Sequence, residues 1–119
     1  MHDIIPDFTD NELWSIETTL RERYGAIKEI QLAESELRLD PQAAELTSCP
    51  TVYWTHENCH FVICKTDERR YRAQFFYRIH QTFGTGVDEF DDLTECAVTV
   101  LQMQADHERK ESGGGPDPA

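Results

Sequence analysis

Apolar residues recur at helical spacing near the two ends of the chain and at strand spacing in between. At the N-terminal end Leu13, Ile16, Leu20 and Tyr24 follow a period of 3.6, with Glu17 on the same stripe and Trp14 flanking it. Thr9-Asp10-Asn11-Glu12 opens this stripe with the signature of a capping box. Asp10 and Glu12 suit the positive end of a helix dipole, and Arg21 and Arg23 suit the negative end. Gly25 then supplies the left-handed residue that ends helices. The pattern predicts a helix over residues 10–24. A second stripe, Leu93, Cys96, Ala97, Val100, Leu101 and Met103, predicts another, capped at Asp91 or Asp92 with Glu95 three residues on, and fraying near His107–Lys110.

Between the helices the period changes to two. Ile27, Ile30, Leu32, Leu37 and Leu39 alternate with a phase break, which predicts a bulged strand or two short ones. Residues 40–50 form a loop with one helical turn at Gln42–Leu46. TVYWT, HFVICKT and YRAQFFYRI are rich in β-branched and aromatic residues and are separated by HENC and DERR, so they predict consecutive strands joined by short turns. Residues 80–90 form a loop. Helix, consecutive strands, helix is the order of an α+β fold: an antiparallel meander of about four strands, with an N-terminal and a C-terminal helix packed on one face. One domain over residues 1–110 and a disordered tail over 111–119 account for the whole length, since ESGGGPDPA has too few apolar groups to pack.

With Glu57-Asn58 as a two-residue turn, Thr55 opposes His60, Trp54 opposes Phe61, Tyr53 opposes Val62 and Val52 opposes Ile63. With Asp67–Arg70 as the next turn, Thr66 opposes Tyr71, Cys64 opposes Ala73 and Phe61 opposes Phe76. Strand side chains alternate. Tyr53, Val62, Cys64, Ala73, Phe75 and Tyr77 then share one face. Val52, Trp54, Phe61, Ile63 and Phe76 share the other with Lys65, Arg72, Gln74 and Arg78. Both faces are apolar, whereas an antiparallel sheet commonly keeps one wet. Two helices cover one face, which leaves Trp54, Phe61, Phe76, Arg72 and Arg78 as a contact surface for a partner. The competing arrangement folds the N-terminal arm (Ile4, Ile5, Phe8) or the 40–50 loop over that face. A three-residue turn at 56–58 would instead swap the partners of Val52–Trp54.

Charge sharpens this expectation. The chain of 119 residues carries a formal net charge of −12. Yet Cys59–His80 holds five basic residues against two acidic ones, a local reversal to +3. The acidic balance argues against nucleic acid and anionic membrane as partners. No run approaches the roughly 20 apolar residues of a membrane helix. The four cysteines, with no secretory signal in view, suit free thiols in the cytoplasm.

Few residues suggest chemistry. His56, Cys59, His60, Cys64 and Cys49 are metal-ligand types, but His60 and Cys64 are about 13 Å apart along one strand, too far for a single ion. Cys96 opens an acidic helix, which disfavours a thiolate. Gly84-Thr85-Gly86 precedes Asp88, Glu89, Asp91 and Asp92, the wrong charge for a phosphate loop. Arg69, Arg70 and Arg72 beside Phe75, Phe76 and Tyr77 have the ingredients of a single-strand nucleic-acid platform, which the surrounding negative charge opposes. No catalytic residue, metal or cofactor is therefore assigned. The expectation is a non-enzymatic accessory or regulatory interaction protein, a homodimer or the binder of a protein partner. The alternative is a binder or enzyme for an anionic small molecule, with a pocket between sheet and helices, Arg72 or Arg78 as its clamp, and His60, His80 and Tyr77 for proton transfer.

Overall fold

The structure, a computed structural model, describes residues 5–26, 28–39, 42, 44–78, 81–87 and 89–112. Helix α1 (Asp10–Tyr24) starts where the capping box places it. The Glu12 N–H donates to Thr9 Oγ1 at 3.1 Å, and the Thr9 N–H donates to Glu12 Oε1 at 2.7 Å. Gly25, at φ 72°, closes it by donating its N–H to the Arg21 carbonyl. Helix α2 (Leu93–Ser112) is capped by the Asp92 carboxylate, which accepts the Glu95 N–H at 2.9 Å. It takes in Glu111 and Ser112, so the expected tail reduces to residues 113–119, which lie outside the described residues.

Five strands, not four, form one antiparallel sheet in chain order: β1 (Gln31–Leu37), β2 (Thr47–His56), β3 (Cys59–Asp67), β4 (Arg70–Arg78) and β5 (Gln81–Gly84). Two of them correct the expected loops. Thr47–Pro50 is the start of β2, paired with Glu34–Leu37, and Gln81–Gly84 is a short edge strand on β4. β1 is one continuous strand. The described part of Gln42–Leu46 contains no helix.

The β2–β3 register is the expected one, with Trp54 opposite Phe61 and Thr55 opposite His60. The β3–β4 register is not. Asp67 pairs with Arg70 across the turn, but Lys65 pairs with Tyr71, so Thr66 is an extra residue in β3. That bulge displaces all later pairs by one: Phe61 meets Phe75, and His60 meets Phe76. Because side chains alternate, a slip of one residue turns every β4 side chain to the opposite face.

The helices cover Val52, Trp54, Phe61, Ile63, Tyr71, Ala73 and Phe75. These pack with Ile16 and Leu20 of α1 and with Leu93, Cys96, Ala97, Val100 and Leu101 of α2 in one buried cluster. Phe8 of the N-terminal arm joins this side, its ring 6.3 Å from that of Tyr71. At about 25 cal/mol per Å² of buried apolar surface, these side chains supply most of the drive to fold.

Candidate functional site: the open half of the sheet

The face away from the helices is divided along its length. At one end Cys49, Thr51, Cys64 and Thr66 are buried. There the chain folds back: Arg38, Leu39, Thr85, Val87 and Glu89 border a cavity with Arg72 and Gln74. Glu89 ties this end down, accepting the Thr66 hydroxyl at 3.0 Å and standing 3.6 Å from Arg72 Nε. Thr51 Oγ1 donates to Ser35 Oγ at 2.9 Å across β1 and β2.

At the other end the sheet is open among the described residues. Tyr53, His60, Val62 and Phe76 are half-buried, and Thr55, Gln74 and Arg78 are exposed. The Tyr53 and His60 rings stack with centroids 5.9 Å apart, and His60 stacks on Phe76 at 4.9 Å. The Tyr53 hydroxyl and His60 Nδ1 share a hydrogen bond of 2.6 Å. The rings thus form a ladder across β2, β3 and β4, one per strand and spaced by the distance between strands. None of these seven residues is acidic, in a chain of net charge −12.

The residues expected to form a contact surface are therefore split. Trp54 (1% exposed) and Phe61 (0%) stack on each other at 5.1 Å beneath the helices. Arg72 and Phe76 lie on the opposite face, while exposed Arg78 follows a second irregularity of β4, between Phe76 and Arg78 in its pairing with β5. The Thr66 bulge is the cause, since an unbulged register would have kept all five together. Sequence reading missed both Tyr53, which it placed on the covered face, and His60, which it named as a candidate for metal binding or proton transfer. His60 opposite Phe76 would have been visible only with the bulge in hand. For the alternative pocket, Arg72 and His60 face away from the helices and Tyr77 faces them, so these groups do not converge. His80 lies outside the described residues.

All four thiols are buried. Burial pushes Cys59 up to about 11 and Cys96 up to about 12, and it raises Cys49. All four cysteines are free. Among the described residues no group of three or more His, Cys, Asp or Glu side chains is placed to hold a metal ion.

One buried charge cluster lies on the helix side. Lys65 (2% exposed) donates to Glu12 Oε1 at 2.8 Å and to the Asp7 carbonyl at 3.1 Å, while the Tyr71 hydroxyl donates to Glu12 Oε2. Burial would raise the Glu12 carboxyl, but the bonds from Lys65, Tyr71 and Thr9 outweigh it and hold the group below its ordinary value. Burial, and then that carboxylate, push the Tyr71 phenol well up. A cavity of about 450 Å³ adjoins the cluster, with Glu68, Asp91 and Asp92 in its wall. Lys65 spends its donors on the cap of α1, so the cluster fastens that helix to the sheet. No family model, curated protein or solved structure matches the chain. Among the described residues no helix is long and apolar enough to cross a membrane.

Proposed function

We propose that this protein is a small, non-enzymatic interaction module of the cytoplasm, which self-associates through the open half of its sheet. The observation that carries the reading is the Tyr53–His60–Phe76 ladder, stacked on a surface where Tyr53, His60 and Phe76 stay only half-buried among the described residues. Aromatic and arginine side chains concentrate at the centres of interfaces, where charged carboxylates are depleted. This patch has Tyr53, Phe76 and Arg78 and no carboxylate. A second copy is the simplest occupant: a twofold axis through His60 would lay one ladder against the other and bring Arg78 to the acidic surroundings of its mate. Four free cysteines, all buried, support a reducing compartment. The rings stack on one another, so their faces are taken up by neighbours, whereas a nucleic-acid platform offers ring faces for bases to stack on.

Sedimentation velocity in the micromolar range tests this. The wild-type chain is expected to dimerise, and Phe76→Asp to weaken the dimer by at least about tenfold with an unchanged circular dichroism spectrum. Trp14→Asp, on the exposed outer side of α1, is expected to leave the dimer intact. A wild-type monomer throughout that range, or equal loss from both substitutions, overturns the reading.

A further inference from the structure

On the opposite side of the sheet, where α2 runs out over β4 and β5, a cavity of about 440 Å³ opens between helix and strands. Its floor is Phe75 and Phe83, whose rings stack at 5.2 Å. Met103, His107 and Lys110 project over it from α2 at spacings of four and three, which places them on one helix face. Rings surround His107: its centroid lies 4.4 Å from Phe83, 5.5 Å from Tyr77 and 5.8 Å from Phe75. The size falls within the range of small-molecule sites, which pair apolar walls with a few polar groups. Among the described residues the rim carries Arg109 and Lys110 with the carboxylate of Asp106, to which Arg109 is paired. This is an apolar slot with Lys110 at its mouth.

We infer that this cavity binds a small organic carboxylate with an apolar body: the body lies on Phe75, Phe83 and Met103, and the carboxylate meets Lys110 and a His107 N–H. An apolar amine would meet two cations at the rim, and a hydrophilic anion would leave the aromatic floor bare. The site lies on the other face of β4 from the Tyr53–His60–Phe76 ladder, so it stands or falls apart from self-association.

The test is a ¹H–¹⁵N correlation titration of the full chain with hexanoate, with 1-hexanol as the uncharged control. Hexanoate is expected to cause saturable shifts at Phe83, Gly84, Met103 and His107 and none at Tyr53 or His60. It is expected to bind at least about fivefold more tightly than hexanol, the worth of one exposed charge contact. Lys110→Gln should remove that advantage without changing hexanol binding. Met103→Glu, at an exposed position of α2, should abolish hexanoate binding. Absence of saturable shifts, shifts centred on the open sheet face, or equal affinity for hexanol and hexanoate overturns the proposal.

Discussion

Glu12 shows how one side chain serves two levels of structure. Its N–H and carboxylate close the capping box of α1, and the same carboxylate accepts Lys65 and Tyr71 from the sheet. A buried ammonium without its counter-charge is costly, since breaking such a pair from one side typically loses about 3–5 kcal/mol. Glu12→Gln keeps the shape and removes the charge. It is expected to lower stability at neutral pH by roughly 3 kcal/mol, read from the urea midpoint. The pH dependence follows from the direction of the shift. The folded carboxyl lies below its ordinary value of 4.5, so its contribution is complete above that value and is lost as pH falls through the folded value. The gap between wild type and Glu12→Gln should therefore be full at neutral pH and narrow steadily below about pH 4. A gap that stays constant into acid would show that the charge of Glu12 does not supply the stabilisation.

Local signals with their own chemistry were legible in the chain, and those set by a partner strand were not. Both helices could be read because caps and stripes are written in adjacent residues: Thr9 with Glu12, Asp92 with Glu95, and Gly25 at the stop. The Glu57-Asn58 turn was legible for the same reason, and it fixed the β2–β3 register. β1 was blurred because QLAESEL is an exposed edge strand with little apolar alternation, and β5 because four residues carry too little pattern. The Thr66 bulge left no mark of its own, since its anchor is Glu89, 23 residues further on. From that one unread residue came the misplacement of Trp54 and Phe61 relative to Phe76, Arg72 and Arg78. The turn itself carries a testable strain. Glu57 sits at φ 57°, the one non-glycine residue at positive φ among those described. A left-handed conformation costs an L-residue about 1 kcal/mol, and the first position of a two-residue hairpin turn favours glycine there. Glu57→Gly is expected to stabilise the chain by about 0.5 kcal/mol once the added freedom of the unfolded glycine is deducted, seen as a higher melting temperature. A lower melting temperature would mean that Glu57 makes a contact worth more than its strain.

The acidic surplus of the whole chain bears directly on how it associates. Two copies of net charge −12 repel each other, and the repulsion acts over roughly 10 Å at 0.1 M salt and about 30 Å at 0.01 M. The surface proposed to join them holds no carboxylate, so what salt screens is mainly this long-range term. The stacking and burial of Tyr53, Val62 and Phe76 are not weakened by salt and are strengthened slightly by sulfate. Self-association through the ladder should therefore tighten as sodium chloride is raised from about 0.01 M to 0.15 M, by sedimentation equilibrium. The opposite slope would mean that the attraction is ionic. Arg78 reaching the mate's acids would then be the dominant contact, and Arg78→Gln would weaken the dimer more than Phe76→Asp. A rising slope with Phe76→Asp as the stronger lesion identifies the rings as the contact and the acidic surface as the term that limits it. In that case the −12 charge, carried in part by the helices and by β1, keeps association confined to a patch that lacks carboxylates.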